Sequence, residues 1–189
     1  MTYPPPHPGL ADSVFLRAAR GQRPERTPVW FMRQAGRSLP EYRRLRQGVD
    51  MLTSCATPEL ITEITLQPVR RYGVDAAVLY SDIVVPVSAI GFGVDVAPGT
   101  GPVVSEPFAR EADLQRLRPY EPEIDAPYVG ETIRILDREL TVPIIGFAGA
   151  PFTVASYLIE GRPSRTYTKT KALMYGEEAL WHKLLDRLA

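Results

Sequence analysis

The stretch "TPELITEITLQPVRRYGVDAAVLY", residues 57–80, joins the pattern of a helix to that of a buried strand. Thr57 can cap a helix, Pro58 suits its first turn, and Gly73 can end it. Residues 75–80 then form a largely apolar run, which is typical of a parallel strand covered on both faces. A helix that leads directly into such a strand predicts an α/β fold built from βαβ units.

The same alternation continues on both sides of this stretch. Apolar runs predict further strands at residues 27–32 and 142–147, and periodic apolar positions predict helices at residues 125–140 and from residue 176 onward. Residues 93–104 predict a hairpin rather than a phosphate loop, because no helix follows their glycines. Strands that alternate with helices predict βαβ units and a parallel sheet. Three strands are clear, whereas a (β/α) barrel needs eight and typically about 250 residues. We therefore expect the 189 residues to hold about the first half of such a barrel.

The composition argues against several classes of protein. The chain has 22 basic and 22 acidic side chains, and this zero formal net charge argues against a general nucleic-acid binder. The single cysteine, Cys55, excludes a disulfide within the chain. Together with two distant histidines, His7 and His182, it gives no familiar zinc or haem ligand set.

Two segments bear on where the protein resides. Residues 1–10, "MTYPPPHPGL", lack the pattern of a signal peptide, so we expect a flexible proline-rich leader, one domain over residues 11–189 and a cytoplasmic protein. Residues 141–159 are uncharged over 19 positions, near the length of a membrane-spanning helix. Because Pro143 and Gly149 are among the residues that interrupt this run, we predict a short buried strand followed by a loop, and no membrane partner.

Polar side chains follow each of three predicted strands, at the edge where active sites of parallel α/β folds lie. Arg33 and Arg37 follow the first strand, Asp82 the second and Tyr157 the third. Two arginines on one loop suit carboxylates or phosphates, and the nearest acid in sequence is Glu41. The set predicts a pocket for a polyanion. The alternatives are that Arg33 and Asp82 form a structural salt bridge and that Tyr157 is a core tyrosine.

Four separated segments carry a resemblance to a known family: "PVWFMRQAGRSLPEYR" (28–43), "YSDIVVP" (80–86), "GTGPVVSEPF" (99–108) and "GFAGAPFTVASYLIEG" (146–161). Over roughly residues 10–189 the chain resembles the uroporphyrinogen decarboxylases. The resemblance implies a (β/α)8 TIM barrel, usually a cytosolic homodimer of the haem and tetrapyrrole pathway. It also implies an enzyme, without metal or organic cofactor, that converts uroporphyrinogen III to coproporphyrinogen III by removing carbon dioxide from four acetate side chains.

The resemblance further implies roles for individual residues. Asp82 matches the family carboxylate that gathers the pyrrole N–H groups and stabilises a transient ring cation. Arg33 matches the residue that binds the reacting acetate, and Tyr157 matches a tyrosine that hydrogen-bonds the substrate. The rest of the substrate-binding loop is matched by Gln34, Ala35, Gly36 and Arg37.

The chain departs from the family pattern in two respects. Ser38 stands where tyrosine is more often expected, and the family's second half, with a further serine and histidine, is absent. His182 lies on the wrong element to replace that histidine. One alternative is therefore a catalytically incomplete fragment that self-associates through open sheet edges. Another is a zinc- or corrinoid-type methyltransferase of the same fold, for which His and Cys ligands would be required.

Overall fold

The computed structural model describes residues 10–189, apart from the side chains of residues 33–35, so the predicted leader lies largely outside the described residues. Ten α-helices occur in this described part, at Val14–Ala19 (α1), Pro40–Leu45 (α2), Met51–Cys55 (α3), Pro58–Tyr72 (α4), Val85–Ala89 (α5), Pro122–Asp125 (α6), Pro127–Glu139 (α7), Pro151–Glu160 (α8), Thr168–Gly176 (α9) and Glu178–Leu188 (α10). The four strands described are Ala77–Val78 (β1), Val94–Ala97 (β2), Gly101–Val104 (β3) and Ile144–Ile145 (β4). Short 3-10 helices span Arg33–Ser38 and Glu111–Arg116.

The chain divides into two compact units. The first unit contains residues 10–49, 53–81 and 128–147, and the second contains Asp50–Leu52, Asp82–Pro127 and Ala148–Ala189.

The first unit is organised around α4 and a parallel pair of strands. Pro58 begins α4, and Gly73 ends it in the left-handed conformation with its N–H donating to the Val69 carbonyl, which confirms the helix predicted for this stretch. β1 pairs in parallel with β4, with Ala77 opposite Ile144, as expected of a βαβ unit. The apolar side chains buried in this unit include Ile61, Ile64, Leu66, Val74, Ala76, Leu79 and Leu136.

The strand predicted at residues 27–32 is wrong, because these residues form no strand in the structure. One end of the segment is held beside β1: the Asp75 N–H donates to the Val29 carbonyl at 2.7 Å. Beyond that point no ladder forms, and the side chains from Val29 to Met32 are 41–63% exposed. An apolar run indicates that the side chains favour burial, but a strand also needs a neighbouring strand that accepts and donates its backbone hydrogen bonds.

Asp75 fixes this segment through its side chain. Its carboxylate accepts hydrogen bonds from the Arg26 guanidinium, at 2.7 and 2.5 Å, and from the Val29 N–H, at 2.7 Å. The hydrogen bonds from Arg26, and then the one from Val29, hold the pKa of Asp75 below its usual value of 3.8, against the opposing effect of burial. The pair therefore favours the folded state only while Asp75 is ionised.

We expect Asp75→Asn to destabilise the protein at neutral pH. A carboxyl whose pKa is lowered on folding contributes its full stability above the unfolded value near 3.8 and loses it as the pH falls through the lower folded value. The difference between wild type and variant should therefore shrink below about pH 4 in urea titrations across pH. Asp137→Asn, on an exposed position of α7, is the matched control. If the difference in the free energy of unfolding between wild type and Asp75→Asn is the same at pH 7 and pH 2.5, the ionised Asp75 carboxylate does not stabilise the fold.

The second unit packs a β-hairpin against three helices. β2 and β3 pair antiparallel, with Val94 opposite Val104, which confirms the predicted hairpin. α8 contacts α9, α10 and β3, and α10 buries Leu180 and Leu184, as predicted for the tail helix. The buried side chains that form the core of this unit include those of Phe92, Phe108, Leu158, Trp181 and Leu184.

The prediction of a loop after β4 is wrong for residues 151–160, which form α8. The glycines and prolines that argued against a helix all lie at or before its first residue, Pro151. No glycine or proline occurs from Phe152 to Glu160, and Gly161 ends the helix in the left-handed conformation. In residues 10–189 no helix is both long and apolar enough to cross a membrane.

Candidate active site

Asp82 lies at the turn between β1 and α5. Its Oδ1 accepts the Val84 N–H at 3.2 Å, and its carbonyl accepts the Val85 N–H, also at 3.2 Å. Aspartate side chains commonly stabilise turns by accepting a backbone N–H two residues ahead. The half-buried carboxylate is thus held by its own backbone at the end of a strand, where the sequence predicts a functional residue.

Tyr157, on α8, lies within electrostatic range of Asp82. Burial is the main cause that raises the pKa of the Tyr157 hydroxyl, and the negative charge of Asp82 and the neighbouring Tyr167 raise it further. Both residues belong to the second unit. The structure therefore places two of the residues predicted from sequence, a carboxylate and a phenol that stays protonated at neutral pH, within electrostatic range of each other.

A close backbone approach holds the loop after β4 beside Asp82. An added Cβ at Gly149 would lie 2.5 Å from Val154 Cγ2 and 3.1 Å from the Cβ of Ile83, the residue after Asp82. Val154 is buried and β-branched, and the Cβ of Ile83 is fixed by its own backbone, so a larger residue fits at position 149 only if these groups shift. This agrees with the prediction that Gly149 interrupts the uncharged run after the strand.

The predicted substrate loop is a 3-10 helix at Arg33–Ser38 in the first unit. Gly36 is buried and Arg37 exposed, and among the described residues no hydrogen bond or ion pair involves the Arg37 side chain. The side chains of Arg33, Gln34 and Ala35 lie outside the described part. Their predicted roles, and the alternative salt bridge between Arg33 and Asp82, stay predictions.

Comparison with known proteins decides the family. Residues 10–189 match the sequence model described as uroporphyrinogen decarboxylase (URO-D). The chain belongs to the uroporphyrinogen decarboxylase family. This confirms the resemblance drawn from the four motifs.

Curated relatives named uroporphyrinogen decarboxylase agree with this assignment. The protein of Salinispora tropica is 66% identical over 186 residues, which cover 97% of this chain and 50% of the relative. That of Streptomyces coelicolor is 63% identical over 179 residues, covering 94% of this chain and 50% of the relative. The chain thus spans about half the length of the curated relatives it matches.

A solved structure supports the fold. A methyltransferase from Methanosarcina mazei superposes with a TM-score of 0.63 at 21% identity, over 92% of this chain and 50% of that protein. At this identity the likeness concerns the fold alone. Together with the family, it confirms the prediction of a TIM-barrel α/β fold.

For this member of the uroporphyrinogen decarboxylase family we expect Gly149→Ala to be destabilising by about 1–3 kcal/mol, because the new methyl group overlaps Val154 and Ile83. Gly146→Ala is the matched control, since nothing lies within 4 Å of a Cβ there. Urea denaturation of both variants measures the difference in the free energy of unfolding. Equal stability of the two variants would show that the loop accommodates a side chain at Gly149.

Sequence analysis missed part of the surroundings of Tyr157. Ser164 and Tyr167 line with it a cavity of about 70 Å³ in the second unit. They lie in the polar segment 162–167, which shows no periodicity and belongs to none of the four motifs. The one available signal was its position directly after the motif that ends at Gly161.

Proposed function

We propose that this chain takes part in the decarboxylation of uroporphyrinogen III, which converts its four acetate side chains to methyl groups and gives coproporphyrinogen III. The observation that carries the proposal is the half-buried Asp82 carboxylate within electrostatic range of a protonated Tyr157, in a chain of the uroporphyrinogen decarboxylase family. Because the chain spans about half of its relatives, the activity proposed is that of the whole protein.

The proposed chemistry needs a sink for electrons. When the bond between the acetate methylene and its carboxylate breaks, carbon dioxide leaves without the electron pair. Protonation of the pyrrole ring first creates a cation that accepts this pair, and a second protonation at the methylene carbon gives the methyl group as the ring proton is lost. In net terms one proton replaces one carbon dioxide. A fixed carboxylate such as Asp82 stabilises the ring cation more than the neutral reactant, which is the condition for catalysis.

Within this proposal, the loop at residues 33–37 binds the substrate's carboxylates. Arg33 holds the acetate that reacts and Arg37 binds another acidic side chain, because guanidinium groups pair with carboxylates through two hydrogen bonds. Gln34, Ala35 and Gly36 complete the loop. The proposal needs no metal or organic cofactor, and it includes the homodimer and cytoplasmic location implied for the family.

The proposal is tested by incubating the purified chain anaerobically with uroporphyrinogen III. The products are oxidised and separated by chromatography according to their number of carboxylates. The expected result is a series from seven to four carboxylates from the Salinispora tropica relative, which stands for the whole protein. The same series from this chain would show that its own residues carry the core chemistry. If the relative is active and this chain is inactive, the proposal holds only for the longer protein. If the chain binds uroporphyrinogen without converting it, the chain supplies only the substrate-binding part of the function.

One observation favours the alternative of self-association. The apolar side chains of Val29, Trp30, Phe31 and Met32 are exposed in the first unit, and contiguous exposed apolar groups favour association. Light scattering on the same samples distinguishes self-association from the proposed enzymatic function. Higher oligomers that bind no uroporphyrinogen would support self-association. For the methyltransferase alternative, the likeness to the Methanosarcina mazei protein supports the fold alone.

A further inference from the structure

Tyr167 has an uncommon backbone conformation for a residue with a side chain. Its φ and ψ are 53° and 41°, and among residues 10–189 it is the one non-glycine residue with positive φ. This left-handed conformation is unfavourable because Cβ approaches the following carbonyl. Two hydrogen bonds hold it: the Tyr167 N–H donates to Ser164 Oγ at 3.0 Å, and the Lys171 N–H donates to the Tyr167 carbonyl at 2.9 Å.

Aromatic packing fixes the Tyr167 ring. Its centroid lies 6.0 Å from that of Phe152 on α8, and Phe152 in turn lies 5.8 Å from Trp181, edge to face. Trp181 belongs to the core of the second unit. A ring held through this contact has a defined position, which a binding group requires.

The cavity beside this ring is rich in hydroxyl groups. It measures about 70 Å³, room for several non-hydrogen atoms. Ser156 Oγ already donates to the Thr153 carbonyl at 2.7 Å, and Ser164 Oγ accepts from Tyr167. The hydroxyls of Tyr157 and Tyr167 have no hydrogen-bond partner within the described part of the chain, and Thr153 and Ser164 bring two further hydroxyl donors to the lining.

We propose that the Tyr157 and Tyr167 hydroxyls form one subsite that binds a carboxylate, with each hydroxyl donating to it. The inference rests on the proposed function in taking that carboxylate as a peripheral side chain of uroporphyrinogen. Two neutral donors solvate an anion without adding net charge, and two exposed arginines, Arg162 and Arg165, lie in the loop before Tyr167. Tyr167 is then a binding residue that the family motifs do not include.

The test uses the chain labelled with 3-fluorotyrosine and observed by ¹⁹F NMR. The probe is benzenehexacarboxylate, a polycarboxylate that is not a tetrapyrrole. Signals are assigned with Tyr157→Phe and Tyr167→Phe, which keep both aromatic rings. We expect the probe to shift both signals at one common dissociation constant, and each variant to weaken binding about tenfold or more. Tyr175→Phe, on α9 at a residue 78% exposed, is the control and should bind like wild type.

The outcomes separate this inference from the proposed function. Probe-induced shifts of both signals would support the subsite even in a chain that does not convert uroporphyrinogen III, because the activity proposed is that of the whole protein. An unmoved Tyr167 signal, or unchanged affinity in Tyr167→Phe, would overturn the subsite, and uroporphyrinogen conversion unaffected by Tyr167→Phe would do the same. A double-mutant cycle that gives strictly additive losses would also overturn it, because hydroxyls that share one carboxylate are coupled.

Discussion

Asp82→Asn is expected to lower the rate of uroporphyrinogen III decarboxylation by about 100- to 1000-fold, the usual cost of removing one fixed group that stabilises charge in a transition state. The amide keeps nearly the same shape and can still accept the Val84 N–H through its oxygen. The turn before α5 should therefore persist while the negative charge is lost. The loss should fall on kcat more than on KM, because the proposed ring cation would exist only during the reaction.

The control for this prediction is Asp186→Asn, which removes one negative charge from an exposed position of α10 in the same unit. It should leave the rate unchanged. Equal rates for Asp82→Asn and wild type would contradict the role of Asp82, and equal losses in both variants would assign the effect to net charge.

A second measurement of the Asp82 variant does not depend on activity. The charge of Asp82 raises the pKa of Tyr157, after the larger effect of burial. Asp82→Asn should therefore lower the pKa of Tyr157, although burial still keeps it above that of an exposed tyrosine carrying the same label. The titration is followed by ¹⁹F NMR of the fluorotyrosine signal assigned with Tyr157→Phe. If the pKa of Tyr157 is the same in wild type and Asp82→Asn, the Asp82 carboxylate does not influence the Tyr157 hydroxyl, contrary to the structure.

Short sequence signals predicted the elements whose ends are determined by residues close together in sequence, namely α4 and the β2–β3 hairpin. The residues Pro58 and Gly73 mark both ends of α4, and the glycines of residues 93–104 predicted the hairpin, because helix ends and tight turns depend on neighbours in sequence. The same signals failed at residues 27–32, where a strand depends on backbone partners far away in the chain. They also failed at α8, because the glycines and prolines that interrupt the apolar run all lie at or before Pro151, the first residue of the helix.

The residues of the candidate site likewise include some that local sequence signals predict and some that they do not. Asp82 and Tyr157 could be predicted because each stands at the end of a predicted strand or inside a family motif. Their proximity could not be derived from spacing alone, since it depends on how closely Gly149 lets the loop after β4 approach Ile83. Tyr167 could not be predicted at all, because its place depends on a left-handed backbone and a ring contact with Phe152.

The position of Tyr157 depends on the packing of α8, and Leu158 is the residue at which this packing can be tested. Leu158 is fully buried in the core of the second unit, and its carbonyl accepts the Phe108 N–H at 2.8 Å. Leu158→Ala leaves that backbone bond intact and removes core volume. We expect a loss of about 2.7–5 kcal/mol in the free energy of unfolding, from lost burial and from the cavity that remains.

The two tryptophans allow this loss to be measured in the second unit alone. Trp30 lies in the first unit and is exposed, whereas Trp181 is buried in the second. In a Trp30→Phe background, urea denaturation followed by fluorescence therefore reports on Trp181. Ile124→Ala, at a residue 71% exposed in the same unit, should change stability by less than about 0.5 kcal/mol. A loss below about 1 kcal/mol for Leu158→Ala would mean that the core collapses around the deletion. Tyr157 would then be held by the end of α8 at Gly161 rather than by the packing beneath it.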